Sequence, residues 1–255
     1  MIGITTTTPS SPNMEETLSK IRPHTSSNLP HQKAPAVLLR ALESTIQEQN
    51  SEKSPTAYFA ALLTTLDGTL QKKSIALGDG DILPAELYLL ALVIQFVPQP
   101  VIRTNFNTLF SLTAPLFPVL QANAPPLRSQ LTLYNYIFKS IDRSQLDVQG
   151  VRQVFASILQ SCLDPRPKVR KKAADLVRDT LSSPPSPLSR HPYAERVADW
   201  VKIRLAEINS MSISKKPQGA PTAEMAIHIL AFLRPTLLNL PVSVSQSNSP
   251  FSNFS

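Results

Sequence analysis

The stretch CLDPRPKVRKKAADLV, Cys162 to Val177, decides the fold. One helix ends at its left edge, Asp164 and Pro165 make a turn, and a second helix opens at once. Upstream of the turn, Val151, Val154, Phe155, Ile158, Leu159, Cys162 and Leu163 fall at helical spacing. Downstream, Val169, Ala173, Leu176, Val177, Thr180 and Leu181 repeat it. Two amphipathic helices with so short a break must be antiparallel neighbours.

Working outward, the same pattern fills most of the chain. Leu38, Leu39, Leu42 and Ile46 make one stripe, and Phe59, Leu62, Leu63, Leu66 and Leu70 a second. Residues 84–97 are apolar on all sides, as in a helix buried between layers. Pro115 and Pro118 should kink or split residues 100–122. Leu127, Leu131, Tyr134, Phe138 and Ile141 give another stripe, then Val197, Trp200, Val201, Leu205 and Ile208, then Met225, Ile229, Phe232, Leu233 and Leu237. The Asn13–Glu16 pair reads as a capping-box-like start. No alternating run bounded by Asn-Gly or Asp-Gly turns is present. Of the 24 prolines, Pro55, Pro84, Pro125, Pro165, Pro192 and Pro221 each stand just before or at the start of an apolar-periodic stretch, and only 6 glycines are available for tight hairpins. The expected fold is all-α, a solenoid of antiparallel helix pairs with about nine or ten helices. Residues 1–12 read as a disordered tail, 13–240 as the helical domain with a Ser/Pro linker at 182–192, and 241–255 as a disordered or truncated tail. A last helix at the end of an array should lack a partner for one face.

Within that frame the central turn has a more specific form. Asp164 and Pro165 stand at the turn, Val169 and Arg170 follow, and Ala173 comes three residues after Arg170. This order is similar to the HEAT-repeat signature, in which the Asp satisfies backbone donors and the Val and Ala let the helices pack closely. Successive helix pairs begin near Asp147 and Pro192, an interval matching the roughly 40–47-residue period of HEAT and armadillo arrays.

No catalytic apparatus is legible. His24, His31, His191 and His228 belong to no motif, and Cys162 sits on an apolar stripe as a packed thiol. One cysteine and scattered histidines supply no metal site. The GDGD run from Gly78 to Asp81 lacks the acidic spacing and terminal Glu of an EF-hand and reads as a solvated loop. No phosphate-cradling glycine motif occurs, so neither an enzyme nor a cofactor is expected. Mean hydropathy is −0.06, and the most apolar run is too short to span a bilayer.

A net charge of +7 favours polyanionic or acidic partners. From 164 to 178 six Lys or Arg stand against two Asp, a local charge of +4. Arg166, Lys168, Lys171 and Lys172 are candidate RNA-phosphate contacts. Arg170 is set aside for an intramolecular role, since it belongs to the repeat signature with Asp164, Pro165, Val169 and Ala173. A solvated helix face and a nuclear-localisation-like cluster remain the other readings. No aromatics interleave, so base stacking is not indicated.

Three stretches carry a family resemblance: LSKIRPHTSSNLPHQKAPAVLLRALESTIQEQN from Leu18 to Asn50, LDPRPKVRKKAADLV from Leu163 to Val177, and Pro184–His191 with its PPSP. Pro165 and Pro167 flanking Arg166 are the most specific feature. Over about residues 14–240 the chain resembles the N-terminal HEAT-like region of the ribosomal RNA-processing protein 12 family. The resemblance implies a nuclear and nucleolar scaffold in ribosome biogenesis. It would associate with pre-ribosomal particles, meaning pre-rRNA and ribosomal or assembly proteins, during processing and subunit export. Nuclear-transport factors are a further implied partner class. A karyopherin-like transport adaptor and a generic protein-binding solenoid are the alternatives.

Overall fold

The structure is a computed structural model that describes residues 13–72, 76–213 and 221–241. The tail expected at 1–12 falls outside those residues, as do residues 242–255 of the tail expected at 241–255. Among the described residues all regular structure is helical, with thirteen α-helices, three short 3-10 segments and no strand. They form two compact units, divided between Pro98 and Gln99.

The first unit holds α1 (Met14–Ser19), α2 (Pro30–Glu48), α3 (Pro55–Leu70) and α4 (Ile82–Val93). Asn13 caps α1 by accepting from Glu15 N at 3.2 Å. The reciprocal half of the expected capping box is not formed, because Glu16 pairs with Lys20 one turn on. The α2 stripe of Leu38, Leu39, Leu42 and Ile46 is buried, as are Phe59, Leu62, Leu63 and Leu66 of α3. Both helices begin with proline, whose fixed φ suits a first turn and whose missing N–H is not needed there. α4 packs against α2 and α3 together, which is why nearly every position on it is apolar.

Glu86 is the exception on α4. It is 1% exposed, takes a 2.8 Å bond from Thr69 Oγ1, and has no partner for Oε2 among the described residues. Burial pushes its carboxyl up to about 6. The Gly78–Asp81 loop packs on the start of α2. Gly80 has φ +93°, and a Cβ there would lie 2.7 Å from Pro30 Cβ. Only glycine fits that approach.

The second unit runs through α5 (Gln99–Thr104), α6 (Phe106–Thr113), α7 (Leu116–Leu120), α8 (Ala124–Ser140), α9 (Arg143–Leu146), α10 (Gln149–Ser161), α11 (Pro167–Leu181), α12 (Ala194–Ile213) and α13 (Pro221–Thr236). The helix count exceeds expectation mainly because residues 100–122 split into three short helices. Pro115 stands at the N-cap of α7 and Pro118 in its first turn. α9 is a single turn closed by a capping box between Asp142 and Gln145.

α8 is the axis of this unit, with Leu127, Leu131, Tyr134 and Phe138 buried. A column of rings runs through it: Phe110, Tyr134, Phe138, Phe155 and Tyr193 follow one another at centroid distances of 6.4, 6.0, 5.4 and 4.5 Å. Each is close enough for a favourable edge or tilted contact. α11 packs most extensively on α8 and also contacts α10 and α13.

Candidate nucleic-acid interface

The site is built on the turn from α10 to α11. Val169, Ala173 and Val177 are fully buried, so this face of α11 is fixed against its neighbours. Ala173 leaves no side chain long enough to hold the helices apart. The opposite edge then carries the charged positions to solvent.

Asp164 organises the turn. Its Oδ1 accepts from Arg166 N at 2.8 Å and from Arg166 Nε at 2.8 Å, while Oδ2 takes Arg166 Nη2 at 2.7 Å. The Arg166 guanidinium holds the Asp164 carboxyl below the usual carboxylate range. Arg166 Nη2 also donates to the carbonyl of Gln121, just past α7, at 2.8 Å. Arg170 turns back over the same loop and donates to the carbonyls of Asp164 at 2.6 Å and Pro165 at 3.2 Å. Both arginines are therefore structural clamps. Arg166, expected beside the lysines as a phosphate contact, differs from them in that its guanidinium is already paired with a carboxylate.

The three lysines differ from one another. Lys171 Nζ lies 2.8 Å from Asp175 Oδ2, but its side chain is 79% exposed, so the pair is weak and easily exchanged. Lys168 is exposed, Lys172 is half-buried one turn later, and neither has an ion-pair partner among the described residues. Further along α11 the charges cancel: Arg178 pairs with Asp175 and Asp179, and Asp179 also takes Lys139 at 3.0 Å. Uncompensated positive charge on α11 is thus concentrated in its first two turns. Backbone amides at a helix start add to the attraction for anions.

Cys162 is fully buried, and burial pushes its thiol up, away from the reactive thiolate. Among the described residues no group of three or more His, Cys, Asp or Glu could hold a metal ion, and no helix is long and apolar enough to cross a membrane.

Sequence reasoning missed the anchor that follows the Ser/Pro connection. His191 and Tyr193 are 2% and 1% exposed. His191 Nδ1 accepts from Tyr193 N at 3.1 Å, and Tyr193 OH donates to the carbonyl of Leu146. Burial lowers the imidazole to about 4. The available signal was polar sequence interrupted by a lone aromatic immediately before the α12 stripe.

Comparison with known proteins places this arrangement. The family described as RRP12-like, N-terminal HEAT repeats, matches residues 13–251. The Saccharomyces cerevisiae protein named Ribosomal RNA-processing protein 12 is 30% identical over 245 residues, covering 91% of this chain and 20% of that protein. RRP12-like proteins of Gallus gallus and Homo sapiens are 28% and 26% identical, covering 89% and 91% of this chain and 17% of each relative. The chain thus spans about a fifth of the length of these curated relatives and matches their N-terminal part. An all-helical chain with this turn geometry, matched across nearly its whole length, belongs to the RRP12-like family and corresponds to its N-terminal HEAT repeats.

Proposed function

We propose that the chain is a non-enzymatic scaffold segment of a ribosome-biogenesis factor. It associates with pre-ribosomal particles in the nucleus and nucleolus during pre-rRNA processing and subunit export. Lys168 and Lys172, with Lys171 beside them, rest on RNA phosphates. The observation that carries this reading is the uncompensated charge at the start of α11, in a family with a member named for ribosomal RNA processing. Phosphate contacts position an RNA without reading its bases, which suits a scaffold. The test is recovery of the tagged chain from growing cells under crosslinking. Precursor rRNA enriched over mature rRNA is the expected result. Recovery of transport receptors or other proteins with no precursor rRNA would overturn the reading in favour of a transport adaptor.

A further inference from the structure

The Ser/Pro connection between α11 and α12 has no part in the RNA reading, yet its chemistry is specific. The described residues contain three Ser-Pro dipeptides, at Ser54, Ser183 and Ser186. They are not equivalent. Ser54 is the N-cap of α3, with its hydroxyl accepting from Ala57 N at 3.2 Å. Ser183 and Ser186 are exposed, and neither side chain has a partner among the described residues. The connection is held at both ends. Ser182 Oγ donates to the Arg178 carbonyl at 2.9 Å and accepts from Asn239 Nδ2 at 3.1 Å. At the other end His191 and Tyr193 are buried. The middle therefore faces solvent from a fixed frame, with Arg190 exposed and without an ion pair among the described residues, four positions after Ser186.

We propose that Ser183 and Ser186 are phosphate-acceptor sites for a proline-directed serine/threonine protein kinase. Such an enzyme selects a residue without an N–H directly after the acceptor, and both serines provide it. In the transfer the serine Oγ forms a bond to the γ-phosphorus of Mg-ATP, and the bond to the β,γ-bridging oxygen breaks. ADP leaves with that oxygen, and the hydroxyl proton passes to the kinase's catalytic base. The product places about −1.5 to −2 charges on the connection. At 1.5 Å per residue along α11, Ser183 lies about 16 Å from Lys172 and about 22 Å from Lys168, at least twice a Debye length of about 8 Å. Phosphate at Ser183 thus leaves Lys168 and Lys172 largely unaffected, and this proposal and the RNA reading fail independently.

The experiment incubates the full chain, and separately a synthetic peptide of residues 178–192, with a purified cyclin-dependent kinase and Mg-ATP. Phosphate is mapped by mass spectrometry. The expected result is phosphate on Ser183, Ser186 or both in the folded chain as in the peptide, with Ser54 unmodified. The S183A/S186A double variant should lose that phosphate while its circular dichroism stays unchanged. A peptide that is not a substrate would show that the sequence is not recognised. A modified peptide beside an unmodified folded chain would show that the fold withholds it. Either result overturns the proposal.

Discussion

Arg170 Nη1 lies 2.6 Å from the backbone carbonyl of Asp164, so the first turn of α11 is clamped to the loop that introduces it. A carbonyl at this turn has no intrahelical donor, and a charged donor satisfies it more strongly than water would. Arg170→Ala should destabilise the second unit by about 1.5–3 kcal/mol, the usual range for a hydrogen bond to a charged group. Denaturant unfolding followed by Trp200 fluorescence measures this, and a loss below a few tenths of a kcal/mol would show the clamp to be dispensable.

Asp164 adds a pH dependence to the same turn. Its folded carboxyl is held below its ordinary range, chiefly by Arg166. Its contribution is therefore complete above the unfolded pKa of about 4 and is lost as pH falls through the folded value. Asp164→Asn should remove stability at neutral pH and narrow its gap to the parent chain in acid, in paired urea titrations.

Glu86 and His191 should make the two units respond oppositely to acid. Glu86 rises from 4.5 to about 6 on folding, so its charged form is a liability above that range that disappears as pH falls below 4.5. Glu86→Gln should stabilise the first unit by about 2 kcal/mol at pH 7, with little gain at pH 4. His191 falls from 6.5 to about 4, so the second unit loses stability as pH drops through that interval, by roughly 3 kcal/mol in full. Hydrogen exchange at pH 5 and 7 separates the units. Parallel changes in both would contradict the assignment.

The C-terminal helix shows how far periodicity carries. Ile229, Phe232 and Leu233 were legible as a stripe and are buried, with Phe232 edge-on to Trp200 at 5.6 Å. The opposite side of α13 exposes Ile227 and Leu230 at 64% and 60%. Replacing both with Lys should change stability by no more than about 0.5 kcal/mol, since neither fills the core. Lower aggregation at high concentration should accompany it in light scattering. A loss of several kcal/mol would mean that this side is covered.

Helix existence was legible because the apolar spacing of α2, α3, α8, α10 and α11 reflects burial directly. The extra helices were not, because one-turn elements such as α9 are set by capping at Asp142 and carry no period. The basic cluster was visible in sequence, but its internal division was not. Whether Arg166 is free or closed on Asp164 depends on side-chain geometry two residues away, and spacing alone does not decide that. Glu86 was hidden for the opposite reason, being a single polar residue inside an apolar run whose partner, Thr69, comes from another helix.

That division changes what salt should do to RNA binding. Each phosphate neutralised contributes close to one unit to the slope of log affinity against log salt. If all four cluster residues bound phosphate, their loss would flatten the slope by about three to four units. With Arg166 closed on Asp164 and Lys171 sharing Asp175, the two unpaired lysines carry most of the effect. Lys168→Ala with Lys172→Ala should therefore flatten the slope by about two units, and adding Lys171→Ala by less than one more. Loss should be uniform across RNA sequences, because phosphate contacts do not read bases. Helicity should stay intact, as neither Lys168 nor Lys172 belongs to the buried stripe of α11. Arg166→Ala is the discriminating control. It should lower stability by opening the Asp164 turn while leaving the slope nearly unchanged. A full unit lost from the slope with Arg166→Ala would show that RNA displaces the carboxylate. An unchanged slope in the double lysine variant would show that the edge of α11 is only a solvated face.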